Sequence, residues 1–210
     1  MIGAHNSFTY LPARNIFIEF FSFLWRCQNK SMEDLYNNYN VRFFDIRICK
    51  YRRLFKKNFI WITAHGLSTF NMKFKSLDDL FLYMKMYFPN AQYRLILERC
   101  SNKEKEEFYN QLQYWLKHNG EKLKENNYLC SWIGIKKPWK TLYVNTEIYP
   151  NNFNDYCCKI FNLNPDLSIY ENIKHFKIKQ TIKRWAKEHN IELSEDKIND
   201  KNTIYFMDFI

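Results

Sequence analysis

The stretch that most constrains this chain is Asn40-Val41-Arg42-Phe43-Phe44-Asp45-Ile46-Arg47-Ile48. From Val41 to Ile48 it is largely apolar, β-branched and aromatic, as expected of a buried strand. Asp45 and Arg47 break that pattern. Side chains two apart on a strand point the same way, so both charges fall on one face. Burying them there is unfavourable unless each finds a partner. The stretch is therefore either a structural ion pair or a chemical site.

Two satellites stand beside it: Gly3-Ala4-His5-Asn6-Ser7 upstream and Thr63-Ala64-His65-Gly66 downstream. With 210 residues, 46% hydrophobic and 19% aromatic, the chain fits one domain, 1–210, with a substantial core. That composition excludes disorder as the general state. A net charge of +10 favours an anionic partner such as a phosphate ester, a membrane surface or a nucleic acid. Abundant Lys, Asn, Ile, Phe and Tyr give the same charge by composition alone. The six cysteines form no CxxC pair and no zinc spacing, which suits free thiols in a reducing compartment. No basic segment with an apolar core precedes the first motif, and the longest apolar run, Ile16 to Trp25, contains Glu19 and is too short to span a bilayer. A cytoplasmic monomer, soluble or peripheral at a membrane, is expected.

Met1 to Ala4 reads as the end of a short strand, with His5 and Asn6 on the loop leaving it. Ile16 to Asn37 reads as a helix whose Phe17, Phe20, Phe21, Leu24 and Trp25 share one face, either core or lipid-facing. Lys50 to Lys57 is a basic, aromatic connection, and Phe59 to Ala64 is a second buried strand. Ser76 with Asp78 and Asp79 starts a helix over 77–88 that Pro89 stops. Tyr93 to Leu97 is a third strand, and Ser101 with Glu104 forms a capping box opening a helix that Gly120 ends. Tyr128 to Ile133, Thr141 to Ile148 and Thr203 to Ile210 read as strands, and Tyr170 to Asn190 as a basic helix. Seven or eight strands alternating with helices, without a Gly-rich phosphate loop, predict the α/β class as a single distorted TIM-like β/α barrel. His5, Arg47, His65, Glu98 and Asp208 fall at or near the C-terminal ends of predicted strands, where such barrels gather their sites.

His118, His175 and His189 read as structural or surface residues. His5 and His65 each sit beside a small residue at a strand end, and two histidines facing one site suit phosphodiester cleavage. One takes a proton from the attacking hydroxyl, and the other gives one to the leaving oxygen. The forked charge of Arg47 suits phosphoryl oxygens in the transition state, and Asp45 suits holding a neighbour.

Gly3 to Thr9, Val41 to Arg47 and Ala64-His65-Gly66 resemble, in order and spacing, the catalytic X region of phosphatidylinositol-specific phospholipases C, over roughly residues 1–100. Tyr205 to Ile210 is similar to that family's last barrel strand. The compact bacterial, metal-independent type is the closest. The resemblance implies His5 as general base, His65 as general acid, Asp208 as the carboxylate orienting the base, and Asn6, Asp45 and Arg47 around the phosphate. It also implies membrane contact by the helix after the first strand, through Phe17, Phe20, Phe21 and Trp25. Two departures stand out. Glu98 replaces a basic residue, as in the calcium-dependent eukaryotic type, where Asn6, Asp45 and Glu98 would be the metal ligands. Arg47 stands where that calcium would sit, so no metal or other cofactor is expected, and Glu98 is expected to pair with Arg47 or a nearby Lys. Near Thr141 to Ile148, Asn145, Thr146 and Glu147 replace the inositol-binding Arg; Asn6, Glu98, Asn145 and Glu147 are the candidate substrate-binding residues.

The leading expectation is a phospholipase C-like phosphodiesterase or lyase acting on a phospholipid or glycerophosphodiester, with no stable nucleic-acid partner. A metal-dependent glycerophosphodiester phosphodiesterase or sphingomyelinase-D-like enzyme is the second reading. A non-catalytic membrane- or RNA-binding module is the third.

Overall fold

The computed structural model describes residues 1–52, 59–66, 68–119, 123–132, 135–144, 153–156, 170–171, 181–190 and 203–210. The elements are β1 (Ile2–Ala4), α1 (Ile16–Phe20), a single 3-10 turn (Ser22–Leu24), α2 (Met32–Asn38), β2 (Phe43–Arg52), β3 (Phe59–His65) and β4 (Ser68–Phe74). Then come α3 (Leu77–Tyr87), β5 (Gln92–Leu97), α4 (Asn102–Asn119), β6 (Leu123–Trp132), β7 (Ile135–Val144), β8 (Phe153–Tyr156), α5 (Ile182–His189) and β9 (Ile204–Met207).

The architecture is mixed α/β, with one curled sheet whose path runs β6-β7-β5-β2-β1-β9-β8. From β5 through β2, β1 and β9 to β8 every pairing is parallel. Beyond β5 the hairpin β6–β7 pairs antiparallel. Strand β3 pairs antiparallel with the far half of β2, and β4 with β3.

Those antiparallel hairpins depart from the parallel pairing expected of strands alternating with helices. A parallel crossover needs about a dozen residues or more. Too few separate Arg52 from Phe59, or Trp132 from Ile135, for anything but antiparallel return. Strand β4 escaped the sequence reading altogether, although Phe70, Met72 and Phe74 alternate along it.

The single helix expected from Ile16 to Asn37 is two helices and a 3-10 turn. Two caps explain the division. Asn15 Oδ1 accepts from the Phe17 and Ile18 N–H groups at the start of α1, and Ser31 Oγ accepts from the Asp34 N–H at the start of α2. Between them the chain runs back under the first loop, where the Cys27 and Gln28 N–H groups donate to Thr9 Oγ1 at 3.0 and 2.9 Å.

Alternation along the central strands separates two environments. Phe44, Ile46 and Ile48 of β2, with Tyr93, Leu95 and Leu97 of β5, pack against Leu35, Leu77, Leu80, Phe81, Met84 and Phe108 of α2, α3 and α4. Each such fully buried side chain is worth roughly 1.5–3 kcal/mol against exposure. Helix α3 begins where expected, and its start is a capping box, Ser76 and Asp79 each accepting from the other's backbone. The opposite face carries Phe43, Asp45 and Arg47 of β2, Arg94 of β5 and Phe206 of β9. On that face Gly3 leaves room for its neighbours in the sheet, since a Cβ there would stand 2.8 Å from the Phe206 ring and 3.0 Å from Phe43 Cβ. Among the described residues no helix is long and apolar enough to cross a membrane.

Candidate active site

Register assembles the site. Ala4 of β1 pairs with Phe44 of β2 and Met207 of β9, so the next residues, His5, Asp45 and Asp208, lie at one level. The His5 N–H continues the ladder to the Met207 carbonyl at 3.0 Å. Gln28 Nε2 fastens the same two strand ends, donating to the carbonyls of His5 (3.1 Å) and Met207 (2.7 Å). Glu98 follows Leu97, whose partner is Ile48, and so lies one strand further along. His65 ends β3 and is followed by Gly66, whose φ of +57° makes the turn into β4.

The hydrogen bonds fix the tautomer of His5. Its Nδ1 lies 2.7 Å from Asp208 Oδ1, and its Nε2 lies 3.0 Å from Arg47 Nη2. A carboxylate only accepts and a guanidinium only donates. His5 therefore carries its proton on Nδ1 and presents a lone pair at Nε2.

His65 has the same arrangement by another route. Its Nδ1 donates to the Trp25 carbonyl at 2.8 Å, leaving Nε2 to accept from Asn6 Nδ2 at 3.2 Å. Asn6 Nδ2 is equally 3.2 Å from His5 Nε2. The amide thus lies between the two imidazoles, whose ring centres are 6.5 Å apart and nearly perpendicular. Asn6 reaches this place from a left-handed backbone (φ 47°), which asparagine tolerates better than most residues.

Asp45 and Arg47 form more than an isolated pair. Asp45 Oδ2 accepts from the Asn6 N–H (3.2 Å) and Arg47 Nε (3.1 Å), and its Oδ1 from Arg94 Nε (3.1 Å). Arg47 reaches onward, its Nη1 lying 3.4 Å from Glu98 Oε1. Arg94 is 1% exposed and rests on the Phe206 ring, 4.2 Å from its centre.

Electrostatics follow from this packing. Burial would raise the Asp45 carboxyl, but the charges of Arg94 and Arg47, with His5, hold it well below the ordinary carboxylate range. Glu98 is raised instead. Its desolvation outweighs the help it receives from Arg47, Arg99 and the Gly66 N–H. His65 is pushed down to about 3, first by burial and then by the positive charge of Arg47. Cys27, beside His5 and Asp208, is pushed up to about 12, chiefly by burial.

The structure brings together His5, Asn6, Asp45, Arg47, His65, Glu98 and Asp208. Asn145 and Glu147 lie outside the described residues. Phe17 and Phe20 on α1 are 79% and 78% exposed, and Phe21 beyond it is also exposed. Trp25 corrects the expected lipid-facing set. It is buried against Phe70, with ring centres 5.2 Å apart, and its indole N–H donates to the Ile18 carbonyl at 2.9 Å. The break after α1 turns it inward, so it ties the α1 region to His65 through its own carbonyl.

Arg94, Gln28 and Cys27 were not singled out from sequence. Arg94 carried the same signal as Asp45, a charge within the apolar run Tyr93 to Leu97, and it shares a strand face with Glu98. Gln28 and Cys27 carried none, because their roles arise from a loop crossing.

An arrangement with two unprotonated imidazole nitrogens, a carboxylate behind one of them, an amide between them and a guanidinium alongside can take up an oxyanion and move protons on two sides of it. Comparison of the chain with family models, with curated proteins and with solved structures finds no match.

Proposed function

We propose that the chain is a phosphodiesterase or lyase of the phosphatidylinositol-specific phospholipase C kind, on a distorted TIM-like β/α barrel of which β8-β9-β1-β2-β5 is part of the wall. The observation carrying this reading is the pair of Nε2 lone pairs held on either side of the Asn6 amide. In the proposed reaction a phosphodiester anion draws the Arg47 N–H groups onto its oxygens. That frees His5 Nε2 to take the proton of a hydroxyl neighbouring the phosphate. The hydroxyl oxygen bonds to phosphorus, the bond to the leaving alcohol breaks, and His65, which takes a proton from solvent once the anion engages Arg47, supplies the leaving oxygen's proton. Asp208 holds His5 in the productive tautomer and balances its positive charge. A cyclic phosphate and a free alcohol result.

A lipid substrate is supported by the exposed aromatics of α1 and its flank, which sit on the segment that leads to Trp25 and hence to His65. For calcium the donor set fits poorly. The Arg47 guanidinium bridges Asp45 and Glu98, the two carboxylates that would hold the ion, and two cations at such separations repel strongly. No step therefore runs through a metal.

The test is turnover of phosphatidylinositol and glycerophosphoinositol, with the product read by phosphorus NMR. The parent protein should form a cyclic phosphate in the presence of EDTA, and His5→Ala should abolish this while retaining its circular dichroism. Cleavage by His5→Ala at the parent rate, or no cleavage of any phosphodiester by the parent, overturns the reading. Loss of activity in EDTA would point to the metal-dependent glycerophosphodiesterase alternative.

A further inference from the structure

We propose that His5, Cys27 and Asp208 form a binding site for a borderline or soft divalent cation, zinc or cadmium by its chemistry, on the side of His5 away from Arg47. One ligand atom from each residue lies within 4.8 Å of the others. Zinc bonds of about 2.0–2.3 Å to nitrogen, oxygen and sulfur place neighbouring ligand atoms somewhat closer than this, so small side-chain rotations complete the set. The donor types match: imidazole, thiolate and carboxylate together favour zinc or cadmium over calcium or magnesium. The two anionic ligands also neutralise a dication without a counter-ion.

A second observation points to the same place. Asn6 Nδ2 lies 3.3 Å from Cys27 Sγ, while Asn6 Oδ1 is buried and has no hydrogen-bond partner among the described residues. A half-turn of this amide exchanges the two atoms; it ends the Nδ2 contacts with His5 Nε2 and His65 Nε2 and would give the cation a fourth donor. This site differs from the calcium position of the sequence reading, which lies between Asp45 and Glu98 and is filled by Arg47.

Binding exchanges protons and leaves every oxidation state unchanged. The Cys27 thiol loses its proton to solvent as the metal–sulfur bond forms. The metal replaces the His5 Nδ1 proton, which is taken up at Nε2 as Arg47 Nη2 moves off that atom, so one proton is released per cation. With Nε2 protonated, His5 has no lone pair for a hydroxyl, and the bound cation would block turnover. That consequence rests on His5 as base; the binding does not.

The experiment is titration of the full chain with cadmium, reading the thiolate-to-cadmium charge-transfer band in the ultraviolet. One equivalent should develop the band in the parent protein and in each of Cys49→Ser, Cys100→Ser, Cys130→Ser, Cys157→Ser and Cys158→Ser. Cys27→Ser should lose it and bind cadmium roughly 10- to 100-fold more weakly, at least the loss that removing an outer-shell partner causes. In the unsubstituted chain, nitrogen NMR should show the His5 Nδ1 resonance moving on cadmium addition while those of His118 and His189 stay fixed. A band retained in Cys27→Ser, or an unmoved His5 resonance, overturns the proposal. The second readout needs no variant, so it decides the matter even if Cys27→Ser fails to fold.

Discussion

Replacing Arg47 by methionine keeps the unbranched stem of the side chain and removes every donor, and the groups around the guanidinium should respond differently. Asp45 keeps Arg94 at 3.1 Å and stays ionised. Glu98 loses the stronger of its two counter-charges and keeps Arg99. Already raised by burial, its carboxyl should take up a proton instead of remaining an anion. Breaking a buried ion pair typically costs about 3–5 kcal/mol because a charge is left uncompensated. With Glu98 neutral and Asp45 still paired, Arg47→Met should cost about 1–3 kcal/mol, the range for an unmade buried hydrogen bond. His65 gives the sharper readout. After burial, Arg47 is the largest cause holding it at about 3, so its titration should move up toward the ordinary 6.5 in Arg47→Met. Arg47→Lys, which keeps the charge without the fork, should leave it low. Both variants should lose turnover by about 100- to 1,000-fold, as on removing one donor to a developing oxyanion. The assays are proton NMR titration of the His65 ring, urea unfolding and phosphodiester cleavage. A His65 ring titrating at the same pH in the parent and in Arg47→Met would refute the reasoning.

Asp208→Asn should lower turnover by about 100- to 10,000-fold, the range of general acid–base catalysis, because the Nδ1 proton of His5 loses its carboxylate acceptor; steady-state rates with circular dichroism check this, and an undiminished rate would remove Asp208 from the mechanism. His65 also predicts acid sensitivity. Its folded value of about 3 lies below the ordinary 6.5, so the unfolded chain binds its proton first, and stability present above pH 6.5 is lost as the pH falls toward 3. At about 1.36 kcal/mol per pH unit this amounts to on the order of 3 kcal/mol by pH 4. Urea midpoints at pH 7 and pH 4 should therefore differ less in His65→Asn than in the parent, and an equal difference would count against the assignment.

Sequence reading reached the site further than it reached the fold. Asp45 and Arg47 were legible because strand alternation needs no tertiary information, and a charged pair on an apolar strand is conspicuous. Helices α3 and α4 were legible through their caps. The antiparallel turns were missed because β-rich runs do not announce their pairing sense; only the short connections at Arg52 and Trp132 carry it. Trp25 was misread because its position assumed an unbroken helical period, although Ser31 with Asp34 marked a new helix start. Arg94 was passed over on a strand judged only by its apolar members. Cys27 and Gln28 depend on which loop crosses which, and that information is absent from local sequence.

The charges of the site account for how one histidine could serve as base and the other as acid. Among the described residues, Asp45, Asp208 and Glu98 oppose Arg47, Arg94 and Arg99. Three anions and three cations balance with both imidazoles neutral. An incoming phosphodiester adds one negative charge and engages Arg47, the charge that most depresses His65 after burial. The balance is then restored most readily by a proton on whichever imidazole lacks a fixed occupant at its inner nitrogen. In the proposed reaction His5, with the carboxylate behind it, would stay poised to accept from the hydroxyl. His65, with only the Trp25 carbonyl behind it, would face the anion, so the proton it gains would belong to the complex and be directed at the leaving oxygen. The asymmetry between the two histidines thus comes from what stands behind each ring, Asp208 after β9 or the turn after α1, and from a substrate that brings the charge the resting site lacks.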